Sequence, residues 1–264
     1  MGKYGKVFSV SLQNNIEYKF NFISQLVFSF IPFATNLLLW VVLYDSNPKN
    51  LGMTLKEMIV YYCFILVIEN LVYNDLHQVV AGHIKDGDLS RFLITPCNYH
   101  LYQIFRAFAK NMMYLGFFAL PVIIFSVVLN QKYHFGIDWV TWLLFLLALV
   151  IASVINILIN LIIGTIAFFM TEVRCLFISM DILKGLLIGK VFPISLMPKV
   201  LYGFLVHTPF QFICYFPAMI LLGKYNTAEL LSNFLMSIGW IVVMLGMSSI
   251  LWKIGLTKYS AVGG

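Results

Sequence analysis

The run WVTWLLFLLALVIASVINILINLIIGTIAFFM, Trp139 to Met170, contains no Asp, Glu, Lys or Arg. A transmembrane helix needs about 20 mostly apolar residues. This run exceeds that need, with length left over to tilt or to extend past the bilayer. Its neighbours carry the same signature. Candidate spans cover Phe20 to Tyr44, Met58 to Val80, Ala107 to Leu129 and Leu230 to Trp252, and a further one begins near Leu176. The 264-residue chain is 61% hydrophobic and 11% charged, with a mean hydropathy of +0.90. Soluble domains carry roughly 45–50% apolar and about 25% charged residues, so most of this surface must face lipid. The expected fold is an all-α membrane protein, one transmembrane domain over residues 1–264 with six transmembrane helices.

Three segments refine that count. In residues 1–19, Tyr4, Phe8, Leu12 and Ile16 recur every four positions, the spacing of one apolar stripe on a helix. An amphipathic interface helix is expected there, and the first apolar run is too long to be the core of a cleaved signal. Residues 82–100 are the longest polar interruption, yet they keep Ile84, Leu89, Phe92, Leu93 and Ile94. A mere connector needs no such group; a short helix displaying apolar side chains to a soluble partner does. In residues 186–224 the motifs Phe192-Pro193, Met197-Pro198 and Thr208-Pro209 are followed by Pro217 and Gly223. Proline removes a backbone donor and clashes with the preceding turn, so this stretch cannot be one straight span. Irregular backbone at membrane depth survives only where protein or a water-filled cavity covers it. A re-entrant outer hairpin between spans five and six is therefore expected.

Orientation follows from short-loop charges. Eleven Lys and Arg fall on the side of the termini and six on the other, among them Lys190, which puts both termini in the cytoplasm. Fourteen Lys against three Arg fit an AT-rich bacterial genome. The net charge of +6 is scattered, unlike the clustered stripe of a nucleic-acid binder.

Catalytic templates are missing. No Walker motif occurs; Gly185-Leu-Leu-Ile-Gly189-Lys190 is one residue short and lacks the Ser/Thr, and its setting favours helix packing through the two glycines. No metal-binding cluster is expected, since Cys63, Cys97, Cys175 and Cys214 lie far apart and the five histidines fall in different segments. The chain is expected to hold no catalytic residues. Acidic groups inside spans are assigned at Glu69 and Asp75, with Asn70 beside them, as structural or pathway-lining polar residues. Six positions apart on a helix, the two carboxylates do not share a face.

The order of these parts resembles type-2 ABC exporter permeases, across essentially the whole chain. The loop Ile84-Lys85-Asp86-Gly87-Asp88-Leu89-Ser90-Arg91-Phe92-Leu93-Ile94-Thr95-Pro96 is similar to the family's I-x-x-G-x-L-x-x-x-L-x-x-P pattern. Phe192, Pro193 and Pro198, followed by Pro209 and Pro217, resemble its outer F-P-x-x-x-x-P segment. The ending Trp252-x-x-Gly255-Leu256-x-x-Tyr259-x-Ala261-x-Gly263 is close to the tail of one bacterial branch, although that branch often has Arg where this chain has Thr95. The resemblance implies a multi-pass subunit of the bacterial plasma membrane that binds no cofactor itself. Two cytoplasmic ABC ATPases carrying ATP and Mg, and a second permease, identical or homologous, would complete it. Ile84, Lys85, Asp86, Gly87, Asp88, Leu89, Arg91, Phe92, Leu93 and Pro96 would form the ATPase-coupling interface. The cargo would be an amphipathic, peptide, drug or lipid-like molecule. A secondary active transporter, or another polytopic membrane protein not powered by an ATPase, is the alternative.

Overall fold

A computed structural model describes residues 2–17, 19–46, 53–133 and 138–259. Lys49, His134 and the tail residues Ala261 and Gly263 lie outside the described residues. Eleven α-helices form among the described residues, without strands. They are α1 (Lys3–Glu17), α2 (Lys19–Ser46), α3 (Leu55–Val72), α4 (Leu76–Lys85), α5 (Leu89–Leu93), α6 (Tyr99–Tyr133), α7 (Trp139–Gly164), α8 (Arg174–Leu187), α9 (Lys199–Leu205), α10 (Tyr215–Leu221) and α11 (Thr227–Leu256). Short 3₁₀ turns at Thr165–Phe168, Ile194–Leu196 and Pro209–Phe212 join them.

Among the described residues three helices are long and apolar enough to cross a membrane: Val27–Asp45 within α2, Trp139–Phe168 and Thr227–Leu256. They differ in what covers them. The run that opened the sequence reading becomes α7, the central post, packed by α3, α4, α6, α10 and α11. Its apolar circumference is explained by this position, because a helix hydrophobic all round belongs in the interior or in lipid. Most of α2 and α11 is left uncovered by the chain itself, with Phe28, Leu38, Val42, Leu235 and Val242 exposed.

Capping fixes the helix starts at one end of the bundle. Thr54 and Glu57 form a capping box on α3, Asn226 and Glu229 form one on α11, and Asp138 accepts from Thr141 N at 2.9 Å at the head of α7. An ion pair between Glu57 and Lys224 ties the first two together. The opposite end gathers α1, α5, the start of α8 and the close of α11. We call it the elbow end.

The structure corrects several sequence expectations. The second apolar segment is not one helix: it breaks at Tyr73-Asn74-Asp75 between α3 and α4. The carbonyl of Val72 accepts from Asn156 Nδ2 of α7 at 2.8 Å, so the break is satisfied from the neighbouring helix. The fifth segment stops at Leu187, before the first proline, where the chain turns at Gly189 with φ of 83°. Gly189 is therefore a turn residue rather than half of a helix-packing pair, and a side chain at Gly185 would meet nothing within 4 Å. The carbonyls of Gly189 and Val191, outside any helix, accept from Tyr61 Oη at 2.7 Å and Tyr62 Oη at 2.6 Å. Trp40 Nε1 in turn donates to Tyr62 Oη, and its ring meets Phe192 edge-on at 6.1 Å.

The proline-rich stretch folds as α9, a 3₁₀ turn and α10. Val200 and Phe204 of α9 are exposed, while every residue of α10, Pro217 included, is buried against α7 and α3. Pro193 and Pro209 are buried and Pro198 is exposed. Lys190 stands in the turn that follows α8, and from there it pairs with Glu69 of α3.

Candidate functional site

The elbow is built on Gly82 to His100. Of its apolar residues, Ile84 and Leu89 point inward, Leu89 with no exposed surface, while Leu93 and Ile94 protrude at 48% and 85%. This divides a group that the sequence reading treated as one display. Phe92 is half-buried, its ring 5.1 Å from His83, 5.2 Å from Tyr99 and 5.0 Å from Tyr102. Asp86, Arg91, Thr95 and Pro96 are exposed, and Lys85, Gly87 and Asp88 partly so. Arg91 pairs with Asp88 at 3.5 Å, a solvated contact that fixes little. Thr95 Oγ1 caps the Phe92 carbonyl at 2.9 Å, so the residue that replaces the branch's arginine serves the turn itself.

Beneath the protruding tip lies an aromatic base drawn from distant parts of the chain. Tyr99 stacks on Trp252 at 4.6 Å and 13°, and His100 and Phe168 meet the same indole edge-on at 4.9 and 5.3 Å. Tyr259 Oη donates to the Gly87 carbonyl at 3.2 Å and lies 3.1 Å from Ser90 Oγ. Gly255 packs so tightly on Phe168 that a methyl there would sit 2.7 Å from Cγ. The loop pattern and the tail pattern, far apart in sequence, are thus two halves of one joint. Helix α1 closes it from the other side. It packs along α6; Tyr4 stacks on Phe105 at 5.6 Å, and its hydroxyl accepts from Asn98 N at 3.1 Å.

The surroundings of the two histidines in this base disfavour their charged forms. Burial lowers the His83 pKa from its ordinary value, and the Arg106 charge adds to the effect. Burial alone lowers His100. His83 Nδ1 lies 2.8 Å from Tyr99 Oη and 3.3 Å from Gln103 Nε2.

A sequence profile described as ABC-2 family transporter protein matches residues 30–263, which contain the broken helix pair, the elbow, the proline-rich segment and most of the tail. The chain belongs to the ABC-2 transporter family. It is the membrane subunit of an ABC transporter, without ATPase motifs of its own, and its family works with an ABC ATPase. No curated protein matches the chain.

A second polar assembly was missed by sequence reasoning. Asn160 of α7 stands at its centre: its Nδ2 donates to Asn74 Oδ1 at 2.9 Å, and its Oδ1 accepts from Lys184 Nζ at 3.2 Å and faces His77 Nδ1 at 3.1 Å. Asp181 of α8 completes it, 3.1 Å from Lys184 Nζ and 3.4 Å from His77 Nε2. The network joins both sides of the α3–α4 break to α7 and α8. Sequence reading had confined intramembrane acids to Glu69 and Asp75. Those two do stand apart: Glu69 pairs with Lys190, Asp75 with Lys110 at 3.4 Å, and Asn70 donates to Ser29 Oγ at 3.1 Å. Among the described residues no group of His, Cys, Asp and Glu is arranged to hold a metal, and all four cysteines are free.

Proposed function

We propose that this subunit is the permease of an ATP-driven exporter in a bacterial plasma membrane, with both termini and the elbow in the cytoplasm. The observation that carries the reading is the elbow's construction: an exposed apolar tip, Leu93 and Ile94, on a base that clamps α1, α4, α6 and α11 together. A push on such a tip moves four helices, whereas a push on a slack loop moves none. Two ATPase copies, holding ATP and Mg, would press on two such elbows, one from this chain and one from a second permease, identical or homologous. Membrane crossings would number six: α2, α3 with α4, α6, α7, α8 and α11. The segment 186–224 would return to the outer face, with α10 inside the bundle. The uncovered faces of α2 and α11 suit lipid or the second permease, and the abundance of Phe, Tyr and Met suits an amphipathic, peptide, drug or lipid-like cargo. The Glu69–Lys190 pair leaves that carboxylate already neutralised, which weighs against a proton-coupled secondary transporter.

The test is co-purification with the ATPase and transport-dependent ATP hydrolysis in vesicles. Ile94→Asp should abolish coupling while the chain still inserts and folds, because Ile94 touches little of its own protein. Full coupling in that variant would remove the elbow from the mechanism.

A further inference from the structure

A cleft of about 570 Å³ opens between α4 and α8 at the elbow end. Gln78, Gly82 and Lys85 line one wall, and Arg174, Phe177 and Asp181 the other. Asp181 is already held by Lys184 and His77, and the Lys85 ammonium donates to a neutral acceptor, the Thr171 carbonyl. Two carboxylates belong to the neighbouring stretches of sequence: Asp86, 3.8 Å from where a side chain on Gly82 would begin, and Glu172, two positions before Arg174. Among the described residues neither Lys85 nor Arg174 forms an ion pair with them. Both cations therefore line the cleft without a carboxylate partner, beside the buried ring of Phe177.

From the same mouth an apolar track leads away. Ile178, Ile182 and Leu186 follow at four-residue spacing on α8, all exposed, 54%, 65% and 37%. At 1.5 Å per residue this track is about 12 Å long, close to the depth of one leaflet's hydrocarbon. A basic pocket between membrane helices is a recognised receptor for acidic lipid headgroups, and a guanidinium fork matches phosphate oxygens.

We propose that the cleft binds an anionic phospholipid, its phosphate between Arg174 and Lys85 and an acyl chain along Ile178, Ile182 and Leu186. Because Asp181 belongs both to the cleft and to the network around Asn160, the bound lipid braces α4 and α8 against α7. The site requires neither an ATPase nor a transport cycle.

The full chain is reconstituted in phosphatidylcholine vesicles containing a minor share of phosphatidylglycerol, released into detergent, and weighed with its retained lipids by native mass spectrometry. The wild type retains phosphatidylglycerol over phosphatidylcholine. Arg174→Gln and Lys85→Gln each weaken that preference about fivefold, and the double variant abolishes it. Ile182→Asn, at an exposed position that leaves both cations in place, also weakens retention, and soluble glycerol phosphate fails to displace the lipid. Lys199→Gln, remote on α9, keeps the wild-type preference. An unchanged preference in the double variant overturns the proposal. So does equal loss in Lys199→Gln, which would mean bulk electrostatics, or ready displacement by glycerol phosphate, which would mean a bare phosphate pocket.

Discussion

Gly255→Ala tests whether the tail truly wedges the elbow. The added methyl would lie 2.7 Å from Phe168 Cγ and 2.8 Å from Cε2, where ordinary contacts begin near 3.4 Å. Two rings hem the half-buried Phe168 side chain in. Trp252 stands against it at 5.3 Å and Tyr259 at 6.1 Å, both edge-on. Overpacking of this kind costs about 1–3 kcal/mol. Replacing glycine by alanine inside a helix returns up to about 1 kcal/mol, less in the last turn of α11. The net should be a loss of about 1–2 kcal/mol, or a fall in Tm of about 2–6 °C for a chain of this size. Thermal unfolding in detergent, followed by tryptophan fluorescence, measures it. The decisive comparison is the double-mutant cycle with Phe168→Ala. With the ring gone, the same methyl has room, only the helical gain remains, and Gly255→Ala should become neutral or stabilising. A Gly255→Ala variant that is stabilised with Phe168 still present would refute the wedge.

Further outcomes are expected elsewhere. Lys190→Met strands the Glu69 carboxylate and should destabilise by about 1–3 kcal/mol, while the double variant Glu69→Gln/Lys190→Met recovers most of the loss; chemical denaturation of the four proteins completes that cycle. Leu89→Asp, unlike Ile94→Asp, buries a charge in the joint, so it should lower thermal stability as well as coupling. The elbow should also loosen with acid. His83 and His100 have pKa values lowered by folding, so their neutral forms stabilise the fold above the unfolded value of about 6.5, and that contribution fades as pH falls through the folded values. Trp252 fluorescence titrated from neutral to acid pH should report it, with the transition removed in His83→Gln/His100→Gln. A single cysteine at Met197, in an otherwise cysteine-free chain, should react with an impermeant reagent from outside the cell; labelling only from the cytoplasm would invert the proposed orientation.

Much of this architecture was readable in the sequence because lipid imposes crude, strong rules. Trp139 to Met170 announced a helix by lacking charge, and the prolines at 193, 198 and 209 announced irregular chain by their close spacing, whereas Pro32, Pro121 and Pro217 are each accommodated within a helix. The elbow was legible as a pattern, but its inner and outer faces were not. Leu89 and Ile94 look alike in a string, and only the positions of Tyr99, Trp252 and Tyr259 decide which one is covered. The network around Asn160 was illegible for a related reason. Asn74, His77, Asn160, Asp181 and Lys184 come from three segments, and no spacing in the string joins one segment's polar residues to another's. The break at Asn74 was hidden because its support lies in α7: without Asn156 to donate to the Val72 carbonyl, a continuous helix is the better local solution.

The bond between Tyr259 and Gly87 spans 172 positions of sequence. On a ribosome this separation becomes a delay. At roughly 5–20 residues per second, the loop that carries Gly87 waits on the order of ten seconds or more before its clasp is even synthesised. During that interval the first helices can already be in the bilayer, while the joint remains unset. An ATPase that engaged the proposed elbow in its set shape would find that shape only on chains in which α11 and Tyr259 have already been made.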